Sequence, residues 1–245
     1  MAVALRALRA LSNVSTPEQL SRELGRVVRN FGVEHWVYAI NLPLLNDRHN
    51  QFTLGDYPGD WVERYLACDY LKIDPVVAHC HDHGTPFIWS EAQLRARCAV
   101  DPHHSQVRRM FDEAEEFGLG AGVSVPLHGP GACWGLMSFA APRARSAEIE
   151  RRLPELTLVA HYAHEAARPF ARSKASAPPP ELTRRERECL HWAAEGKTSW
   201  EVGRLLGVSE RTAIFHLHNA AKKLEVSGRQ AAIARAISLG LINPA

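Results

Sequence analysis

Apolar residues in segment 181–245 return every third or fourth position, and each apolar run opens on a hydroxyl. Thr183-Arg184-Arg185-Glu186, Thr198-Ser199-Trp200-Glu201, Ser209-Glu210-Arg211-Thr212 and Ser227-Gly228-Arg229-Gln230 each place Ser or Thr where a helix should begin. Three of these tetrads put Glu or Gln three residues on. Side chain and backbone can then satisfy each other's orphan groups, each cap contributing roughly 1 kcal/mol. The run from Thr198 to Leu206 is expected to bury Val202, Leu205 and Leu206, with Gly207 as a left-handed cap. Only Val208 separates that glycine from Ser209, the tight turn of a helix-turn-helix. Along the next helix Ala213, Leu217, Ala220 and Leu224 form one apolar stripe, leaving Arg211, Phe215, His218, Asn219 and Lys222 on the opposite face. Such a face suits a DNA major groove; a merely solvated bundle face is the competing reading.

In residues 1–170 the pattern alternates between the helical and the extended period. Thr16-Pro17-Glu18-Gln19 opens a helix carrying Leu20, Leu24, Val27 and Phe31. Trp36 to Leu42 and Phe52 to Gly55 read as strands, and Trp61 to Cys68 as a helix. Gly122 to Leu127 and Cys133 to Ala140 read as a hairpin across Gly129-Pro130-Gly131. A last helix from Ala147 to Phe170 carries Leu153, Leu156, Val159, Tyr162 and Ala163. Residues 171–180 lack apolar periodicity and end in three prolines, so they are expected to be a linker. The expected fold class is α+β. An N-terminal α/β/α sandwich around a mainly antiparallel sheet (1–170) precedes a four-helix helix-turn-helix domain (181–245).

Composition narrows the setting. At 245 residues and 46% hydrophobic content, two domains are natural. Arg6 and Arg9 interrupt the apolar N-terminus, and no run reaches membrane-spanning length, so neither a signal peptide nor a membrane partner is expected. Five cysteines without a CxxC pair point to a reducing cytoplasm rather than a disulfide framework. Segment 181–245 holds ten basic and seven acidic residues, against seventeen and twenty in residues 1–170. The basic charge thus sits with the helical tail, but modestly, so useful DNA binding calls for two copies.

Aromatics make up only 8% of the chain, which gives their clustering weight. Tyr57, Trp61 and Tyr65 recur every four residues, and Tyr70 and the trio Phe87-Ile88-Trp89 follow. Ordinary core is the competing reading. Asp74, embedded among these rings, is costly to bury unless it accepts hydrogen bonds, and a ligand N–H is one source.

The stretch LTRRERECLHWAAEGKTSWEVGRLLGVSERTAIFHLHNAAKKLEV resembles the DNA-binding domain of LuxR-type regulators. Glu186, Leu190 and Gly196 match its first helix, Ser209 to Thr212 the entry to its recognition helix, and Lys223-Leu224 the exit. The family usually has Asn, Lys or Arg where this chain has Ile214. The resemblance implies DNA contacts from Ser209, Arg211, Thr212, Ile214, Phe215, His218, Asn219 and Lys222. DYPGDWVERYLACDYLKIDPVVAHC, FIW, GVSVPLHG and GLMSFA are similar to the autoinducer-binding domain of the same family. That implies an N-acyl homoserine lactone as ligand, with no cofactor and no metal. By this resemblance Trp61 would donate to the lactone carbonyl and Asp74 accept the amide N–H. Tyr57 and Ser138 would reach the amide carbonyl, while Tyr65 and Trp89 wall the pocket. Val76 stands where some members carry Thr, and Ala39 where close relatives often have Gly. The family further implies a homodimer on promoter DNA, with RNA polymerase as partner if the protein activates. The helix ending near Phe170 and the C-terminal helix with Ile233, Ala236 and Ile237 are the candidate dimer surfaces.

Other signals carry less. His79 and His83 have the i, i+4 spacing of metal ligands but are expected to pack. His161 and His164 are expected to be a partly exposed pair, and Gly196-Lys197-Thr198 lacks the rest of a phosphate loop. A phosphorylated receiver is disfavoured because no acidic pair precedes Glu18. A ligand-independent regulator with the same tail, or a lactone-processing enzyme, are the competing functions.

Overall fold

A computed structural model describes residues 5–41, 51–90, 104–129, 133–174 and 180–244. The chain forms two compact units, the first closing at Lys174 and the second holding the C-terminal helices.

The first unit runs α1 (Leu5–Ser12), α2 (Pro17–Arg29), β1 (His35–Asn41), β2 (Gln51–Gly55), α3 (Gly59–Ala67), a 3-10 turn (Tyr70–Lys72) and α4 (Pro75–Asp82). It continues with β3 (Phe87–Trp89), α5 (His104–Glu116), β4 (Ala121–His128), β5 (Trp134–Ala141), α6 (Ser146–Arg151) and α7 (Leu153–Lys174). The sheet order is β2-β1-β5-β4-β3. β4 pairs antiparallel with β5 from Ala121↔Ala141 to His128↔Trp134, and with β3 through Phe87↔Ser124 and Trp89↔Gly122. Directly opposed residues share a face. One face of the hairpin therefore carries Val123, Val125, Met137 and Phe139, and the other Gly122, Ser124, Leu136, Ser138 and Ala140. Every residue of β4 but His128 is buried, as expected of a strand with helices on both sides. Gly122 is required here, because a Cβ would come within 2.2 Å of both the Phe139 carbonyl and the Trp89 ring. The hairpin is as expected, although Pro130 and Gly131 of its turn, like Leu42, lie outside the described residues.

Two expectations about the last helix change. It is broken at Arg152 into α6 and α7. Pro154, which has no N–H and crowds the preceding turn, fits the first turn of a new helix, where that N–H has no intrahelical partner to lose. α7 also runs to Lys174, into the stretch read as linker. Leu156, Ala160, Ala163, Ala167 and Ala171 are all buried at 2% exposure or less, and this helical stripe carries the chain past residue 170.

The second unit comprises α8 (Arg184–Ala194), α9 (Ser199–Leu206), α10 (Glu210–Lys223) and α11 (Arg229–Ser238). Thr183 with Glu186 and Thr198 with Glu201 form complete capping boxes, and Ser209 accepts from the Thr212 N–H at 3.1 Å. Gly207 ends α9 at φ +67°, and Gly203 lets α9 approach the turn, where a Cβ would lie 2.8 Å from the Val208 carbonyl. Ser227 is not a cap: Gly228 takes the position at φ +88°, a conformation that excludes side chains. Leu182, Cys189, Leu190, Val202, Ala213, Leu217, Ala220 and Leu224 form the core with Ala232, Ile233 and Ala236. Leu205 instead stands 51% exposed, because the short α9 turns only Val202 and Gly203 fully inward. Ile233 and Ala236 are likewise core, so of the apolar residues assigned to a dimer surface on α11 only Ile237 is on the surface, at 38% exposure.

Glu186 is buried at 3% exposure and accepts from the Thr183 N–H (2.7 Å) and from Lys223 Nζ (2.8 Å), tying the start of α8 to the end of α10. Burial alone would push its carboxyl up; Lys223 and Thr183 outweigh that and hold it below the usual range.

Candidate functional site

On the hairpin face that carries Ser124 and Ser138, α3, α4 and α5 build an aromatic cluster. Trp61, Tyr70, Val76, Cys80, Phe87, Trp89, Met110 and Leu136 are buried in it, with Tyr57 and Tyr65 packed against them. The Trp61 indole stacks 6.2 Å from Tyr70 and meets Tyr65 edge-on at 5.8 Å. At 5% exposure Trp61 has no hydrogen bond from its indole N–H to any described residue. Burial pushes the Cys80 thiol up to about 12, so it is neutral and packs as an apolar group.

Two polar constellations interrupt this wall. In the first, the half-buried Asp74 caps α4, its Oδ1 accepting from the Val76 N–H at 2.7 Å while Oδ2 accepts from the Tyr65 hydroxyl at 2.8 Å. Burial raises the Asp74 carboxyl above its ordinary range, against the lowering effect of Tyr65 and of the Val76 and Val77 N–H groups. Asp74, expected from the sequence to face a ligand, is thus also a helix cap. Its signal was present, since Asp followed by Pro before an apolar run is a helix start. A carboxylate offers about four lone-pair directions, so acceptor capacity remains.

The second is a chain of hydroxyls. Trp89 Nε1 donates to Ser124 Oγ (3.0 Å), Ser124 and Ser138 are 2.8 Å apart, and the Tyr57 hydroxyl donates to Ser138 (3.1 Å). If Ser124 donates to Ser138, the Ser138 oxygen accepts twice and its own proton is free for a further acceptor. Ser124, 0% exposed, was missed. The hairpin register, which opposes it to Ser138, was the signal that could have found it. The site thus brings together Tyr57, Trp61, Tyr65, Asp74, Val76, Trp89 and Ser138, with polar groups suited to an uncharged ligand in an apolar surround.

The histidine signals resolve differently. His79 and His83 stack at 4.4 Å, with His79 Nε2 bonded to the Thr85 carbonyl and His83 Nδ1 to that of His79. Among the described residues no group of three or more His, Cys, Asp or Glu side chains is placed to hold a metal ion. His164 is not partly exposed: it is 5% exposed and bonded to the Tyr38 hydroxyl at 3.0 Å, while His161 is exposed. Burial drives the His164 pKa down to about 4.

In the second unit, α10 buries Ala213, Leu217, Ala220 and Ala221 and leaves Arg211, Ile214, Phe215, His218 and Lys222 exposed, with Thr212 and Asn219 half-buried. The Ser209 and Thr212 hydroxyls, 2.8 Å apart, sit at the N-terminus of this helix, where backbone N–H groups favour anions. Sequence reasoning did not single out Trp200, which stands 59% exposed on α9 with the Arg204 guanidinium 5.8 Å from its ring centre.

An aromatic-walled ligand domain in one chain with a helix-turn-helix defines the class of ligand-responsive transcription regulators. Residues 16–167 match the family of autoinducer-binding domains, and residues 180–236 match the bacterial regulatory proteins of the luxR family. The chain is 32% identical to the transcriptional activator AhyR of Aeromonas hydrophila, over 98% of this chain and 92% of that protein. It is 36% identical to the quorum sensing-dependent regulator RpaR of Rhodopseudomonas palustris, over 98% and 94%. The solved structure of SdiA with octanoyl-rac-glycerol superposes with a TM-score of 0.75 at 25% identity, covering 98% of this chain and 95% of that one. The protein belongs to the LuxR family of quorum-sensing transcriptional regulators, a family that regulates rather than catalyses. Among the described residues no helix is long and apolar enough to cross a membrane.

Proposed function

We propose that the protein is a cytoplasmic quorum-sensing regulator. Residues 1–170 bind an N-acyl homoserine lactone, residues 171–180 mark the junction, and residues 181–245 bind promoter DNA as part of a homodimer. The observation that carries this reading is the Trp61 indole N–H, set in an aromatic wall without an acceptor among the described residues. A lactone carbonyl supplies that acceptor. Its amide N–H fits the remaining capacity of Asp74, and its amide carbonyl fits the proton of Ser138, which Tyr57 orients. Val76 and Cys80 offer the acyl chain apolar surface. The lactone carries no charge, so the wall needs no cation.

Ligand bound only by the folded domain stabilises it by about 2.7 kcal/mol at a hundredfold excess over Kd. Linkage of that kind would favour the dimer, for which Leu158 on α7 and Ile237 on α11 are exposed apolar residues, at 43% and 38%. Two copies of α10 would then enter successive major grooves, with Ser209, Arg211, Thr212, Ile214, Phe215, His218, Asn219 and Lys222 toward the DNA. If the protein activates, as AhyR is named to do, RNA polymerase is its further partner.

The test is to express the full chain with a panel of acyl homoserine lactones and identify the bound molecule by mass spectrometry. One stoichiometric lactone is the expected result. Soluble protein carrying none would overturn the reading, and an acylglycerol in its place would assign the ligand type seen with SdiA.

A further inference from the structure

α10 displays two large apolar side chains that no core claims. Ile214 is 51% and Phe215 58% exposed, and neither belongs to the cluster that the other apolar residues of α10 build. At 100° per residue Phe215 stands opposite the buried stripe of Ala213, Leu217 and Ala220, and Ile214 lies at its flank between Arg211 and His218. A single exposed apolar residue on a surface needs no explanation. This pair differs in its setting: adjacent, in the N-terminal half of the helix, with the exposed cations Arg211 and Lys222 along the same face. Those cations fit a polyanion, which commits the surface to nucleic acid rather than to an apolar protein partner.

We propose that Ile214 and Phe215 read thymine, packing against its C5-methyl group, so that one thymine in each operator half-site is a specificity determinant. This rests on the proposed entry of α10 into a major groove. Neither side chain can hydrogen-bond to a base edge. Among the groups displayed in the major groove, the thymine methyl is the apolar one, while purines present N7 with O6 or N6. A purine beneath Ile214 would have those polar atoms stripped of water with nothing in exchange. Where a polar residue at position 214 would select a hydrogen-bonding edge, isoleucine selects a methyl.

The test uses full-length protein purified from cells grown with the lactone panel. Its operator is enriched from a random-sequence DNA library, and each thymine is then replaced singly by deoxyuridine, which deletes only the methyl. The expected result is one position per half-site at which the replacement weakens binding about fourfold, the worth of one buried methyl. Ile214→Ala or Phe215→Ala, both at exposed positions and checked for an unchanged melting temperature, should shrink that loss below twofold. If no deoxyuridine costs twofold, or the loss persists undiminished in both variants, methyl readout is overturned while DNA binding stands. If the library enriches no sequence, the assignment of α10 to operator DNA falls, and methyl readout with it.

Discussion

Asp74→Asn separates the two roles the structure gives this carboxylate. In the free protein Asp74 caps α4 through the Val76 N–H at 2.7 Å and accepts from the Tyr65 hydroxyl at 2.8 Å. Asparagine keeps one carbonyl oxygen and is as good an N-cap as aspartate, so the cap survives. The other position becomes an NH2 group, which cannot accept from Tyr65 or from a ligand amide. The NH2 group can instead donate to the Tyr65 oxygen, and because burial raises the Asp74 carboxyl, removing the charge relieves that cost. The free protein should therefore melt within a few degrees of the native one. Ligand binding has no such offset. An amide hydrogen bond to a charged acceptor contributes about 1.5–3 kcal/mol, so Kd should rise roughly 10- to 150-fold. Asp74→Ala should lose the same affinity and, with the cap gone, about 1 kcal/mol of stability as well.

Lactone titration of the purified variants, followed by melting with and without ligand, measures both quantities. The pH dependence adds a control. The ionised carboxylate is the stronger acceptor for a ligand amide, so native affinity should be level above the raised Asp74 pKa and weaken as pH drops through it. Asp74→Asn should be flat across that window. Native-like affinity in Asp74→Asn, or a stability loss as large as that of Asp74→Ala, would refute the reasoning.

Three further outcomes follow from particular contacts. His164 takes up its proton at about 4 in the fold against 6.5 in the open chain, so its contribution is whole above pH 6.5 and lost as pH falls toward 4. The loss is about 3 kcal/mol at 1.36 per pK unit, and His164→Gln should flatten that acid slope in urea midpoints. Gly122→Ala would set a Cβ 2.2 Å from the Trp89 ring and the Phe139 carbonyl. It should cost about 1–3 kcal/mol and, by moving Trp89 off Ser124, weaken lactone binding; a native melting curve would contradict this. Lys223→Met strands Glu186 at 3% exposure, yet Lys223 itself is 39% exposed. Calorimetry should thus find the second unit weakened by less than the ~3–5 kcal/mol of a fully buried pair.

What could be read from the sequence follows from how far apart the interacting residues lie. The boxes at Thr183 and Thr198 close within three residues, and the stripe of α10 is a matter of period, so both were legible. The break before Pro154 and the glycine cap at Gly228 were equally local, and were missed by following apolar spacing past the residues that interrupt it. The burial of His164 was not legible, because its partner Tyr38 lies 126 residues away on another element. Tyr57 and Ser138 meet across 81 residues, and only the resemblance to a family paired them before the hairpin register did.

The same distinction reorders the ligand argument. In the sequence Asp74 was the strongest mark of a pocket, as a charge among rings. Its two partners, Tyr65 and Val76, lie nine and two residues away, so a local helix start accounts for much of what made it conspicuous. A group selected for a ligand is better recognised by the capacity left once its protein partners are counted. By that measure Asp74 retains part of its acceptor capacity and the Ser124–Ser138 pair one proton, while among the described residues Trp61 retains its whole donor. Trp61→Phe, which deletes the N–H together with the five-membered ring of the indole, is therefore the substitution that tests this donor. It should lower the melting temperature of the free protein through the ring atoms removed from the cluster, and weaken the lactone by at least about the 0.5–1.5 kcal/mol of one neutral hydrogen bond. An unchanged lactone affinity in that variant would remove the observation on which the proposed function rests.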